Sequence, residues 1–138
     1  MENGRIFRMI DKIAWLYIKD GQILTTRSKG KDAFYFPGGK REGIETDLET
    51  LTREIKAELS VDIRPDTTKP YGVFEAQAHG KAEGVVVRMT CYTADFLGDL
   101  KPDNEITEMG WITSKDTDSV SPVDKLILAD LKGKNIIR

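Results

Sequence analysis

The run from Asp47 to Leu59 is charged along most of its length, yet it carries Leu48, Leu51, Ile55 and Leu59 at helical spacing. That stripe predicts an amphipathic helix with one face packed inward. The segment is entered through Pro37-Gly38-Gly39, which reads as a tight turn whose backbone approaches a ligand without interference from a Cβ. At about 100° per residue, Glu54 and Glu58 lie about 40° apart on the helix, with Asp47 near the same meridian. Like charges at this spacing cost roughly 0.2–0.5 kcal/mol in an isolated helix. Two readings offset that cost: a solvated face neutralised by Arg53 and Lys56, or a divalent cation that takes carboxylate oxygens.

The rest of the chain supplies strands and one more helix. Residues 9–28 read as a hairpin about Asp20-Gly21, a pair suited to a turn with positive φ at both central positions. A polar loop and a short aromatic strand, Phe34-Tyr35-Phe36, lead to the glycines. Beyond the helix come a short strand at Val61–Ile63, two long strands joined within residues 79–84, an acidic loop at 98–105 and a strand at 106–113. The last helix begins at Pro122 with Ser121 as its expected N-cap. Mixed strands with one central and one C-terminal helix predict an α/β fold, a mixed sheet flanked by helices on both faces.

A length of 138 residues suits one domain. A net charge of -2 lacks the basic footprint of a nucleic-acid binder. The one cysteine, Cys91, lies in an apolar stretch and reads as a buried thiol in a reducing compartment. The N-terminus, Met1–Lys12, has no apolar signal core, and no run approaches the roughly 20 apolar residues of a membrane span. The expectation is a cytoplasmic protein.

The stretch from Gly39 to Val61 resembles the Nudix box, G-x5-E-x7-R-E-U-x-E-E-x-G-U, with U a bulky aliphatic residue. Gly39, Glu45, Arg53-Glu54, Ile55, Glu58 and Val61 fall at the box positions with unbroken spacing. Two residues depart: Ala57 stands where the family has the first of two paired glutamates, and Ser60 where it has glycine. The approach through residues 23–40 and the later segment with Glu105 ahead of Trp111 also look like this family.

The resemblance implies a single Nudix hydrolase domain over residues 1–138, an α/β/α sandwich. It implies hydrolysis of a phosphoanhydride bond in a nucleoside diphosphate derivative, with Mg²⁺ or Mn²⁺. By position, Glu58 and the Gly39 carbonyl are candidate metal ligands. Glu54 is a candidate general base or second ligand. Arg53 orients the glutamates, Glu45 and Gly38 support the loop, and Glu105 is an additional ligand or base. Asp124 stands where several MutT-like relatives read a base edge, or simply serves the first turn of its helix. Arg27 is read as reaching a phosphate or base edge, or as a surface arginine. Tyr35 points opposite to Phe34 and Phe36; one face of this segment stacks a base, and Phe36 equally suits core packing. His79 is given no catalytic role.

There is no zinc-binding segment of the NADH-diphosphatase kind. The position of the proline found in ADP-ribose hydrolases is Ala76, and the charge argues against capped RNA. What remains is a nucleoside triphosphate or modified-nucleotide pyrophosphohydrolase, a monomer or homodimer, releasing a nucleoside monophosphate and pyrophosphate. The alternative, raised by Ala57, is a catalytically weak or inactive domain that binds a nucleotide.

Overall fold

The computed structural model describes residues 8–138, so most of the N-terminal segment read for a signal core lies outside it. The strands are β1 (Arg8–Trp15), β2 (Ile18–Lys19), β3 (Gln22–Ser28), β4 (Gly38–Lys40), β5 (Asp62–Ile63), β6 (Lys69–Gln77), β7 (Val85–Thr93), β8 (Phe96–Leu97) and β9 (Ile106–Ile112). The helices are α1 (Asp47–Leu59) and α2 (Pro122–Gly133). None is long and apolar enough to cross a membrane.

A mixed four-stranded sheet, in the order β4-β1-β7-β6, forms the centre. In it β1 runs parallel to β7 and antiparallel to β4. A second sheet, β2-β3-β9, is antiparallel, and β5 pairs with β8. The class is α/β, as the element order predicts.

β1 is buried on both sides, which explains its unbroken apolar run from Ile13 to Leu16. Alternation sends Ile13 and Trp15 toward α1, where they pack with Leu51, Ile55 and Leu59. Ala14 and Leu16 face the other way, into the cluster built on Val123, Ile127, Leu128 and Leu131 of α2. Each face of the sheet therefore carries one helix and one core. Ile55 and Leu59 have no exposed surface, and burying such a side chain is worth about 1.5–3 kcal/mol.

Two local expectations need correction. Residues 9–28 do not form one hairpin. Leu16 still donates its amide to the Tyr92 carbonyl at 2.9 Å, but the chain then leaves β7 for the second sheet. Only β2 and β3 pair around the turn, in which Asp20 and Gly21 have φ of 55° and 77°. The β-prone runs on either side of Asp20-Gly21 carry no signal that names a pairing partner, so the local sequence could not say which strand β1 takes. Nor are the two glycines a tight turn: Gly38 and Gly39 lie in β4, opposite Ala14 and Ile13.

Candidate active site

α1 starts where the sequence dictates. Thr46 caps it: its hydroxyl accepts from the Glu49 amide at 3.1 Å, and Glu49 accepts from the Thr46 amide at 2.8 Å. This reciprocal capping box is written in the sequence as Thr-x-x-Glu, a signal the reading above did not use. Ser60 ends the helix at φ 66°, taking the left-handed conformation in place of the family's glycine.

Arg53 holds the loop that precedes the helix. Its Nε and Nη2 donate to Glu45 at 2.7 and 2.8 Å, Nη1 donates to Glu54 at 2.9 Å, and Nη2 also reaches the Lys40 carbonyl at 3.0 Å. The fork thus ties together the loop, the end of β4 and one oxygen of Glu54. Arg53 holds the Glu45 carboxyl at about 2, well below the usual range. Glu45 is a structural brace, bonded also to the Glu42 amide and the Thr50 hydroxyl.

Asp47, although near the meridian of the glutamates, belongs to a different network. It accepts from Arg41 at 2.6 Å and from the Tyr92 hydroxyl, and Arg41 also binds Asp11 at 2.9 Å.

Glu54 lies against β4. A Cβ on Gly39 would sit 2.4 Å from the Glu54 carboxylate carbon. Glu58 is only 7% exposed and accepts from the Gly38 amide at 3.3 Å. Burial pushes its pKa up, and the charges of Glu54 and Glu105 push the same way. On either side of β4, Trp15 donates to the Pro37 carbonyl and Arg41 to the Asp11 carbonyl. Alternation makes Ile13–Gly39 the hydrogen-bonded pair between them, so the Gly39 carbonyl keeps one lone pair for a cation.

Glu105 arrives from a distant loop, which is fastened to the carbonyls left open at the end of α1. The Asn104 side-chain Nδ2 donates to the Ala57 carbonyl at 2.7 Å, the Asp103 backbone amide to that of Glu58 at 3.0 Å and the Lys101 backbone amide to that of Leu59 at 2.9 Å. Glu54, Glu58 and Glu105 consequently line one cavity of about 360 Å³. Among the described residues, no three acidic, histidine or cysteine side chains already converge as a metal cluster. One buried and one half-buried carboxylate beside a backbone carbonyl nonetheless suit a hard divalent cation, which also keeps water and phosphate oxygens.

The other end of the cavity is made by β1, β7 and the aromatic segment. Tyr35 lines it, as do Lys12 and His79. Phe36 also borders it but is 4% exposed and packs into the core on the α2 side. The Tyr35 and His79 rings meet edge to face at 6.3 Å. Asp124 lies fully buried behind this wall: one oxygen accepts from the Phe36 amide at 3.3 Å and Oδ1 has no partner. Burial raises its pKa to about 7. Ser121 stands at the N-cap, but its hydroxyl makes no capping bond and is buried without a partner at the cavity edge.

Arg27 is elsewhere. It pairs with Glu108 at 2.5 Å and donates to the Lys31 carbonyl at 3.0 Å, and it does not line the cavity. Lys12, by contrast, was not singled out from the sequence. The available signal was a lysine on the face of β1 that also carries Ile10 and Ala14.

Comparisons with known proteins bear on the family and the fold. The model of the NUDIX domain matches residues 10–131. Among solved structures, the ORF135 protein of E. coli superposes with a TM-score of 0.72 at 22% identity, over 93% of this chain and 94% of that one. A MutT NUDIX hydrolase from Burkholderia pseudomallei gives 0.71 at 21% identity, over 88% and 97%. A MutT protein from Methanosarcina mazei gives 0.70 at 16%, over 93% and 96%. At these identities the superpositions speak for the fold alone. A comparison with curated proteins gives no match.

Proposed function

Because the chain belongs to the Nudix family of hydrolases, we propose that it cleaves a phosphoanhydride bond of a nucleoside triphosphate or related nucleotide, with Mg²⁺ or Mn²⁺, releasing a nucleoside monophosphate and pyrophosphate. One observation carries this reading. Buried Glu58, half-buried Glu54 and exposed Glu105 line one cavity with the aromatic ring of Tyr35.

Glu54, Glu58 and the free lone pair of the Gly39 carbonyl would hold the cation, with Glu105 as a further ligand or base. A divalent cation there neutralises the pyrophosphate charge and acidifies a water. Arg53 keeps Glu54 in one orientation, so the carboxylate faces the cavity before substrate arrives. Glu54 or Glu105 would take the proton of the attacking water. Tyr35 presents its ring to the base, and Asp124 acts from behind Phe36 on the same pocket. Arg27, held by Glu108, shapes the rim through Lys31. The reading includes a cytoplasmic protein, monomeric or homodimeric, acting on small molecules.

The test is a panel of nucleoside triphosphates and dinucleotides assayed with each metal and with products resolved. Monophosphate and pyrophosphate are expected, and no release from any substrate with either metal would overturn the reading. Ala57 favours a second reading, a domain that binds nucleotide without turning it over. Saturable binding with no product at any metal concentration would establish it.

A further inference from the structure

Lys12 is an unusual residue for its position. It stands in the middle of β1, opposite Met89 in register and flanked on its own face by Ile10 and Ala14. Met89 and Ala14 belong to the core on the α2 side, and Ile10 packs against it. One amino group therefore rises from an apolar floor. A lysine in such a place ordinarily extends its stem until the charge reaches water, or it pairs with a carboxylate. Among the described residues Lys12 has no ion pair and no hydrogen bond. Its Nζ instead lies 5.7 Å from the centre of the Tyr35 ring, at the cavity wall.

The Nζ lies over the Tyr35 ring, at the aromatic end of the cavity. Burial lowers the pKa of Lys12, the charges of Asp124, Glu58 and Glu54 raise it, and that of Lys40 lowers it. Asp124 is buried behind the wall and closes no contact with Lys12. The donors of Lys12 are left for whatever enters, and an ammonium has three donors and no acceptor.

We propose that Lys12 is a specificity-determining residue that donates to a ring carbonyl on the pairing edge of a nucleobase, so that the enzyme prefers keto bases (hypoxanthine, guanine, uracil, thymine) to bases with an amino group there. This rests on the nucleotide reading above and deepens it. An amino group at the same place would set donor against donor and leave the half-buried ammonium unsatisfied, which is the condition under which a site discriminates. Tyr35 supplies the adjoining aromatic surface.

Inosine and adenosine nucleotides test this directly, because their purines differ only along that edge. The ratio of kcat/KM for inosine triphosphate to that for ATP is to be measured in the wild type, in Lys12→Met and in Lys12→Gln. A wild-type ratio of about tenfold or more is expected, falling toward one in Lys12→Met, with Lys12→Gln retaining part of it. A wild-type ratio near one would overturn the proposal. An equal loss on both substrates in Lys12→Met would also overturn it, since that is the mark of a phosphate contact. Equilibrium binding of inosine and adenosine monophosphates, measured without metal on variants whose folding is checked by circular dichroism, gives the same ratio independently of turnover. If no nucleotide is hydrolysed but the binding ratio behaves as stated, the catalytic reading fails and the role of Lys12 stands.

Discussion

The carboxylate of Glu54 occupies the space that a side chain on Gly39 would fill. A Cβ there would lie 2.4 to 2.7 Å from its three terminal atoms. Glycine at this position is thus a requirement of the site more than of the strand. The neighbouring glycine differs. Gly38 has φ of 141°, and a Cβ on it would lie 2.0 Å from the Ile13 carbonyl oxygen, which belongs to the backbone of the central strand.

The two alanine substitutions should therefore separate activity from stability. Gly39→Ala is expected to displace the flexible end of Glu54, lowering kcat on the order of a hundredfold while the melting temperature moves little. Gly38→Ala is expected to cost roughly 2–4 kcal/mol of stability, because strain and a backbone clash coincide. Thermal denaturation of both variants beside their kinetics checks this. Equal stability losses would contradict the assignment.

Acidity gives a second prediction. In the metal-free protein burial, with the charges of Glu54 and Glu105, holds the Glu58 proton well above the usual carboxylate range, whereas the unfolded chain gives it up near 4.5. Asp124 behaves likewise between 3.8 and about 7. In both windows the unfolded state binds fewer protons, so stability falls as pH rises. Denaturant titrations between pH 5 and pH 8 should show that slope, and Glu58→Gln should flatten it. Because a cation needs the ionised carboxylate, metal binding should also release a proton, visible as a buffer-dependent heat in calorimetry.

Ala57 offers a gain-of-function test. It is exposed on α1, next to the loop that carries Glu105, so a carboxylate placed there adds an oxygen donor at the open side of the site. Ala57→Glu should tighten Mn²⁺ binding by roughly tenfold, read by calorimetry, while Glu58→Gln should nearly abolish turnover. Unchanged metal affinity in Ala57→Glu would remove Ala57 as the explanation of any weak activity.

The placement of Glu105 can be loosened without touching it. Asn104 sits at φ 52° and donates to the Ala57 carbonyl. Asn104→Gly keeps that backbone conformation and deletes the hydrogen bond, worth about 1 kcal/mol. Activity should fall several-fold more than the small stability change accounts for. If kcat is unaffected, Glu105 takes no part in the reaction.

Much of this arrangement was legible before the structure. The apolar stripe and the charged run gave α1 its bounds, and the box spacing singled out Glu54, Glu58 and Arg53 together. Illegible features shared one property: they depend on partners far away in sequence. The β-prone runs of the expected hairpin carry no mark of their partner, so nothing local could tell that β1 pairs with β7. Arg27 read equally as a substrate contact or a surface arginine, and only the fold shows that Glu108, on the neighbouring strand β9, holds it. Lys12 drew no reading at all, because the floor around it is assembled from distant strands.

What the sequence by itself determined is everything carried by short-range periodicity and chemistry: the helix, its cap, the pair of repelling glutamates and the glycine that lets one of them lie against the strand. Spacing within one helix fixes which side chains share a face, because the backbone geometry there is constant. What only the tertiary structure decided is the composition of the cavity. Glu105 enters it because the open carbonyls at the end of α1 bind a loop more than forty residues away. Lys12 faces it because β1 is covered by a helix on each side, and alternation put the lysine on the side of the cavity rather than against α1.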